Sequence, residues 1–272
     1  MTFARPPAAD RPFGRWVGGD TALGLAGLAT VLAVVEIVPR AGLVSAAYLP
    51  PTSRIAAALG TELRDPAFWT AVAETVRGWF TGLCIAMPLA LALGLVIGSI
   101  PWLRELTAST IEFLRPIPSV ALIPVAVLLF GTDLRSTLLL VVYASFWQML
   151  VQVLAGVQDV DPVALDTSRV FGLSRLSRIR HLTWPTTLPF ALTGLRLSAS
   201  VALILAITAE LIIGSPGLGS EIGAAQSGGA VATVYALVAV TGLLAVAVNV
   251  GARSLERRVL FWHGSVRRDV AA

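Results

Sequence analysis

The side chains that could perform catalysis or bind a metal are few and far apart in this chain. All twenty basic residues are arginine, so there is no lysine for a Walker A phosphate loop or for Schiff-base chemistry. His181 and His263 are the only histidines, and two such distant residues make no metal site. Cys84 is the single cysteine, which excludes an intrachain disulfide. These observations argue against an enzyme, and if ATP drives this protein, another chain must bind it.

The composition is that of a membrane protein. Of the 272 residues, 56% are hydrophobic and 13% are charged, and the mean hydropathy is +0.81. A soluble domain has about 25% charged residues. The isoelectric point near 10.2 would suggest nucleic acid binding in a soluble protein. In a polytopic membrane protein it reflects arginines that flank the spans, so we expect lipid and no nucleic acid as a partner.

Six apolar segments are long enough to cross a bilayer as helices. They lie at 21–38, 75–100, 115–132, 134–155, 188–213 and 231–250. A signal peptide is the alternative for the first segment, but its length and Glu36 at its end favour a retained span. We predict a short amphipathic helix at 52–63, a loop at 101–115 and a flexible glycine-rich turn at 214–219.

The third segment contains three prolines, Pro116, Pro118 and Pro124, which would kink or break a helix. Irregular backbone at membrane depth occurs only where it is buried in protein or lines a cavity. Pro118 and Pro124 are therefore candidates for a translocation path, with a simple proline-bent span as the alternative.

The most charged internal stretch follows the fourth span. Asp161 and Pro162 are typical of a helix start, Gly172 of a helix end, and Ser174 can cap a second short helix. The stretch therefore predicts a helix, a glycine turn and a helix, with an ordinary basic loop as the alternative. Its arginines are Arg169, Arg175, Arg178 and Arg180.

Arginine asymmetry predicts the orientation. Fourteen arginines fall on one side of the six spans, including Arg104 and Arg115 in the loop at 101–115, and five fall on the other. Because arginine accumulates on the cytoplasmic side, both termini are predicted to be cytoplasmic. The chain then divides into a tail at 1–20 and a transmembrane domain at 21–272, with the basic loop at about 156–188.

Few ionisable groups fall inside the spans, and such groups are functional candidates. Glu210 is the only charge between Arg196 and Glu221. It either makes a gate or cavity contact in a dimer seam, as part of a translocation path, or extends its carboxylate to the outer interface. Glu74 and Arg77, three residues apart, are expected to pair with each other. Glu36 and Glu112 are predicted to lie at the ends of spans.

The basic loop resembles the cytoplasmic motif of ABC importer inner-membrane subunits. That motif reads Glu-Ala-Ala, three residues, Gly, nine residues, Ile, one residue and Leu-Pro. Gly172 and Pro185 match it unchanged, while the triplet becomes Asp166-Thr167-Ser168 and the Ile and Leu become Leu182 and Trp184. The phrase RPIPSVALIPVAVLLFGT at 115–132 is similar to one in importers of the sulfonate, taurine and nitrate type.

The resemblance implies an all-α permease fold of the ABC type I importer class, with five core spans and an N-terminal one, in the inner membrane. The loop would form the coupling helix that docks on a separate ATP-binding cassette subunit, so the permease itself would be no enzyme and would hold no cofactor. A second permease chain, as a homodimer, and a periplasmic or lipid-anchored solute-binding protein would complete a transporter for a small anionic solute. The implied coupling residues are Asp166, Thr167, Ser168, Gly172, Leu173, Leu176, Arg178, Ile179 and Pro185.

Two other classes of protein are compatible with the composition. An ATP-independent carrier or channel would be indicated by inverted repeats and midplane acidic clusters, which the sequence does not display. An intramembrane hydrolase would require a nucleophile and a base within the spans, and both histidines lie outside them.

Overall fold

The computed structural model describes residues 17–261, with side chains from residue 22, and within this range all regular elements are helices. Most of the predicted N-terminal tail, His263 and the end of the C-terminal tail lie outside the described residues. The helices are α1 (Val17–Arg40), α2 (Thr52–Glu62), α3 (Pro66–Ser99), α4 (Pro101–Leu114), α5 (Ile123–Phe130), α6 (Leu134–Gln158), α7 (Pro162–Val170), α8 (Arg175–Arg178), α9 (Trp184–Ile213), α10 (Leu218–Ser227) and α11 (Val231–Val259). A 3-10 turn, Ser119–Leu122, precedes α5, and a π-helical turn, Ile179–Thr183, joins α8 to α9.

Five of the described helical segments are long and apolar enough to cross a membrane: α1, α3, α6, α9 together with α8, and α11. A sixth candidate is the pair formed by α4 and the segment Ser119–Phe130, which are bent by 80° relative to each other. Five of the six predicted spans therefore coincide with candidate spans, and the third, predicted at 115–132, coincides with only the second half of the bent pair. The helix predicted at 52–63 is confirmed as α2.

Two predicted connections are wrong. Residues 101–115 are not a loop, because Pro101 starts α4 at a position where the missing N–H costs nothing. The turn at 214–219 is shorter than predicted, because Leu218 already begins α10. The second span also starts well before residue 75, since Asp65 accepts a hydrogen bond from the Ala67 N–H (2.9 Å) and caps α3.

Residues 1–58 and 59–272 form two separate units. In the described part of the first unit, Glu36 accepts a hydrogen bond from the Ser53 N–H (2.9 Å) at the start of α2. Thr52 donates its hydroxyl to the Leu32 carbonyl (3.0 Å), and Arg40 donates to the Ser53 hydroxyl (3.1 Å). Glu36 lies near the end of α1, as predicted, and satisfies an N–H that the first turn of α2 leaves unpaired.

In the second unit, α3 and α6 run parallel to each other in close contact. A Cβ on Gly98 would lie 2.8 Å from the Cβ of Val157, and one on Gly82 would overlap Val141. Each glycine thus faces a valine at the same sequence offset, so the two helices run in the same direction. Glycines at such positions let the two backbones approach closely, which favours packing between helices in a membrane.

Helix α9 runs antiparallel to α6. The Thr137 and Ser215 hydroxyls are 2.9 Å apart at one end of the pair. At the other end, Gly156 contacts Phe190, and a Cβ there would lie 2.9 Å from the Phe190 Cβ. The chain therefore crosses in one direction through α6 and returns through α9.

Helix α11 in turn runs antiparallel to α9. Arg196, near the start of α9, lies 3.4 Å from the Glu256 carboxylate near the end of α11. Leu237, near the start of α11, packs instead against Leu218 and Ile222 of α10, which follows α9. The segment at 159–183 and the C-terminal end of α11 consequently lie at the same end of this unit.

The parallel arrangement of α3 and α6 requires the chain to return across the membrane between them. The bent pair of α4 and α5 makes this return: the Tyr143 hydroxyl donates to the Leu114 carbonyl (2.7 Å), and the Ser136 hydroxyl donates to the Ala126 carbonyl (3.1 Å). The pair is therefore one broken span. Together with α1, this gives six spans within the described residues.

Candidate functional site

The basic loop folds as the helix, glycine turn and helix that the sequence predicts. Asp161 accepts a hydrogen bond from the Val163 N–H (2.8 Å) and caps α7. Gly172 has a φ of 69°, a left-handed conformation that disfavours any residue with a Cβ. The Leu173 N–H donates to the Ser168 carbonyl (3.0 Å) and the Gly172 N–H to the Arg169 carbonyl (3.0 Å), which together form a Schellman motif.

The second short helix is joined to the fifth span without a break. Ser174 caps α8 by accepting a hydrogen bond from the Ser177 N–H (3.3 Å). A π-helical turn then leads into α9, with Pro185 in the first turn of that helix. Arg175–Ile213 is consequently one helical segment of 39 residues. A displacement of the loop can therefore be transmitted directly to a membrane-spanning helix.

The predicted acidic and small triplet lies on α7. Asp166 pairs with Arg169 (2.7 Å), three residues along the same helix. The Thr167 hydroxyl donates to the Val163 carbonyl (2.8 Å), and the Ser168 hydroxyl donates to the Leu165 carbonyl (2.6 Å). All three polar side chains thus bond within their own helix, and none of these bonds reaches another element.

Apolar side chains of this loop are unusually exposed for a segment outside the spans. Val170 is 86% exposed, Phe171 79% and Leu176 76%. In water such residues favour burial against a partner protein. Leu173 and Ile179, two further predicted coupling residues, lie in the same segment, and Arg178 ends α8.

Glu210 lies inside the second unit, near the end of α9, and does not extend to the surface. Its side chain is 2% exposed. Its Oε2 accepts hydrogen bonds from the Thr75 hydroxyl (2.8 Å) and from the Gly219 N–H (3.0 Å). The Thr75 oxygen in turn accepts a bond from the Leu218 N–H (2.8 Å). The interfacial alternative is therefore wrong, and a role of Glu210 in the path stays a prediction.

The cluster of Glu210 and Thr75 holds the N-terminal end of α10, where unpaired N–H groups favour a carboxylate. Two glycines make room for it. Gly217 has a φ of 153°, and a Cβ there would overlap the Glu210 carboxylate, while a Cβ on Gly219 would overlap the Ile207 carbonyl. Thr75 was not among the predicted residues, because nothing in the sequence around it indicates a partner so far along the chain.

The predicted prolines lie at the broken span. Pro118 immediately precedes the 3-10 turn, and Pro124 occupies the first turn of α5. The helix breaks at Arg115, just after α4 ends at Leu114. Whether the prolines line a translocation path stays a prediction.

Two charged residues are at depths that the sequence did not predict. The Tyr143 hydroxyl that bonds the Leu114 carbonyl is about 14 Å along α6 from its first residue, at about 1.5 Å per residue, so the break lies well inside the membrane. Arg115 is therefore not in a cytoplasmic loop, and Glu112 is not at the end of a span. Thirteen arginines remain on the predicted cytoplasmic side against five on the other, so the asymmetry survives. The predicted pair of Glu74 and Arg77 is confirmed at 3.5 Å.

These features define a polytopic helical membrane protein with a broken span and a structured loop outside the membrane. Residues 76–261 match the family described as the binding-protein-dependent transport system inner membrane component, and the chain belongs to this family. It is therefore the membrane-spanning permease component of an ABC importer, as predicted. The carrier, channel and hydrolase alternatives are set aside.

Similar proteins agree with this assignment. The chain is 31% identical over 259 residues to the taurine transport system permease protein TauC of Escherichia coli (strain K12). The matched region covers 93% of this chain and 94% of the relative. It is 25% identical to the putative aliphatic sulfonates transport permease protein SsuC of Bacillus subtilis (strain 168), over 87% of this chain and 86% of the relative.

Solved structures support the fold. A bacterial ABC transporter involved in the import of the acidic polysaccharide alginate matches with a TM-score of 0.61 at 16% identity, over 89% of this chain and 97% of the other. An amino acid ABC transporter matches with a TM-score of 0.60 at 19% identity, over 71% of this chain and 94% of the other. The predicted all-α importer permease fold is confirmed.

Proposed function

We propose that this chain translocates a small solute that is an anion or carries an anionic group, such as nitrate, a sulfonate or taurine, across the inner membrane. The support is the set of relatives: permeases named for taurine, aliphatic sulfonates and nitrate are similar over 69% to 94% of their own lengths. A periplasmic or lipid-anchored binding protein delivers the solute to the outer face. Two copies of the chain form the path between them and alternate between outward and inward access.

ATP binds to and is hydrolysed by a separate ATP-binding cassette subunit, which docks on the loop formed by α7 and α8. The single observation that carries this proposal is the exposed apolar surface of that loop, with Val170, Phe171 and Leu176. The Schellman turn at Gly172 presents this surface, and the continuous segment from α8 into α9 transmits its movement to the membrane. The permease itself contributes no catalytic residue and no cofactor.

Both termini and the docking loop face the cytoplasm in this proposal. The loop lies at the same end of the second unit as the C-terminal end of α11, and both are rich in arginine. Arginine-rich segments next to spans are retained on the cytoplasmic side. The turn at 214–217 and α10 then face the periplasm, where the binding protein docks.

The test is uptake by proteoliposomes that contain the purified permease, its ATP-binding partner and the binding protein. We expect accumulation of labelled taurine, ethanesulfonate or nitrate only when ATP is present on the side of the ATP-binding subunit. The same vesicles prepared with the permease alone are the control. Accumulation by the permease alone, without ATP, would contradict the proposal and favour a secondary carrier.

A further inference from the structure

A cavity of about 470 Å³ opens at the break in the third span, between the end of α4 and the middle of α6 and α9. Its wall includes Arg115 and Glu112 on the side of α4, Tyr143 on α6 and Val201 on α9. The last two residues belong to the central parts of their helices, so the cavity is at mid-membrane depth. Its volume falls within the range of small-molecule sites.

The two charged residues of this cavity do not pair with each other. Glu112 lies on the last turn of α4, and Arg115, three residues later, follows the end of that helix in a helical conformation. This spacing places their Cβ atoms about 5–6 Å apart. At the same spacing, Glu74 and Arg77 form an ion pair at 3.5 Å, and Asp166 and Arg169 on α7 form one at 2.7 Å. Within the described residues, no ion pair within 4.0 Å involves Glu112 or Arg115.

Other polar groups on the same wall lack partners within the described part of the chain. The Trp147 indole N–H is buried without an acceptor. Ser119 and Gln148 also line the cavity, and within the described residues neither side chain has a hydrogen-bond partner. The Tyr143 hydroxyl differs, because it is occupied by the Leu114 carbonyl that the helix break leaves free. The cavity thus offers one anion, one cation and several neutral polar groups to a ligand.

An exposed carboxylate and guanidinium at this depth cannot face lipid, because the cost of charge in hydrocarbon is high. They must face water, a ligand or another protein chain. Resting on the proposed function, we infer that Glu112 and Arg115 form a binding site in the translocation path for a small zwitterion. Arg115 binds its sulfonate or carboxylate group, and Glu112 binds its ammonium group.

This arrangement makes a specific distinction between solutes. A guanidinium alone would bind any small anion, because its N–H groups donate hydrogen bonds to sulfonate, carboxylate and nitrate oxygens alike. A carboxylate on the same turn repels a simple anion but attracts one that carries an ammonium group. The site therefore favours an amino sulfonate over an alkyl sulfonate of the same length.

The test measures equilibrium binding of taurine and ethanesulfonate to the purified complex of permease and ATP-binding subunit, without the binding protein. The parent complex is expected to bind taurine about tenfold more tightly than ethanesulfonate. Glu112→Gln should abolish this preference by weakening taurine binding alone, and Arg115→Gln should weaken both. Glu105→Gln and Arg104→Gln, which change charges on α4 outside the cavity, are the matched controls and should bind as the parent does.

Three results would overturn the inference. In the first, the parent complex binds neither solute. In the second, Glu112→Gln weakens the binding of both solutes equally. In the third, the Glu112 and Arg115 variants bind both solutes as tightly as the control variants do. If the variants bind both solutes more weakly to the same extent and the permease also no longer forms dimers, Glu112 and Arg115 instead form ion pairs between two copies of the chain. Uptake by the complete transporter is measured in parallel: if it is driven by ATP while the binding pattern fails, the proposed function stands and only this site is wrong.

Discussion

At the scale of single residues, the buried carboxylate of Glu210 connects three helices. It satisfies an N–H of α10 directly and a second one through Thr75, so three elements meet at one side chain. A buried carboxylate without such donors would be strongly destabilising, because burial removes its hydration. The cluster therefore ties the start of α10 to α3, and a change in it is expected to affect the position of α10.

We predict that Thr75→Val destabilises the protein more than Glu210→Gln does. Valine leaves the buried Leu218 N–H without an acceptor, at a cost of about 1–3 kcal/mol, and it removes one of the two donors to Glu210. Glutamine at position 210 keeps a side-chain oxygen that can accept the hydrogen bonds from the Thr75 hydroxyl and the Gly219 N–H. Thermal unfolding of the detergent-solubilised protein measures the difference. Thr70→Val is the control, since the Thr70 hydroxyl is exposed and bonds only within α3.

The same two variants test whether the charge of Glu210 acts in gating. If it does, Glu210→Gln should fold as the parent does but change solute uptake or its coupling to ATP hydrolysis. Unaltered uptake and coupling would remove Glu210 from the path candidates. Equal stability of Thr75→Val and Thr70→Val would contradict the role of the cluster in holding α10.

At the scale of elements, the docking loop depends on one backbone conformation. A Cβ at Gly172 would meet no atom within 4 Å, so a substitution there acts only through its φ of 69°. A residue with a Cβ costs about 1–2 kcal/mol in this conformation, and a β-branched one costs more. The loop can avoid this cost by changing its turn, which would move Leu173 and α8 away from their position on the proposed docking surface.

We therefore predict that Gly172→Val inserts and folds normally but loses copurification with the ATP-binding subunit, or loses solute-stimulated ATP hydrolysis. Gly172→Asn is the matched control, because asparagine tolerates the left-handed conformation and should retain both. Reversal of the charge at Arg178 should act in the same way but more weakly, since exposed charges mainly tune association. Parental transport by Gly172→Val would mean that the loop is only a linker.

The contact between α3 and α6 makes a second prediction at this scale. A Cβ on Gly94 would lie 2.7 Å from Val153. Gly94→Ala should therefore lower the thermal stability by about 1–3 kcal/mol through overpacking, despite the better helix propensity of alanine. Adding Val153→Ala should recover part of the loss, which a double-mutant cycle of unfolding free energies detects.

Gly242→Ala is the control for this cycle, because a Cβ there has no atom within 4 Å. It should match or exceed the parent in stability. Independent, additive effects at positions 94 and 153 would contradict the close contact and, with it, the parallel register of the two helices.

At the scale of the whole molecule, the order of crossings follows from the directions of the helices. The parallel pair of α3 and α6 requires the broken span to cross, and α9 and α11 then alternate. The excess of arginine on one side, thirteen against five, predicts the orientation of this chain in the membrane. Together, the helix directions and the charge asymmetry predict which loops face the cytoplasm.

We predict that reporter fusions near Thr2, at Asp159 and after Ala272 are cytoplasmic, and that fusions near Thr61, at Thr132 and near Ser227 are periplasmic. Each site is fused both to a phosphatase that is active only in the periplasm and to a fluorescent protein that is active only in the cytoplasm. Each reporter is the control for the other. A cytoplasmic fusion at Thr132 would show that the bent pair is a re-entrant loop. A periplasmic C-terminus would contradict the six-span arrangement.

The sequence by itself determined the class of protein, five of the six spans and the form of the basic loop. Span recognition needs only length and apolarity, which act within one segment. The caps at Asp161 and Ser174 and the turn at Gly172 are also local, because each depends on bonds to residues at most five positions away. The charge asymmetry was robust because it sums over many residues, and moving Arg115 did not reverse it.

Only the tertiary structure decided where the polar groups of the spans lie and what they contact. Thr75 and Glu210 are 135 residues apart, and no local pattern can pair them. The depth of Glu112 and Arg115 likewise depends on the contact of Tyr143 with the end of α4, which turned an expected loop into half of a broken span. Burial and pairing are properties of neighbours in space, and in a bundle of parallel and antiparallel helices those neighbours come from distant parts of the chain.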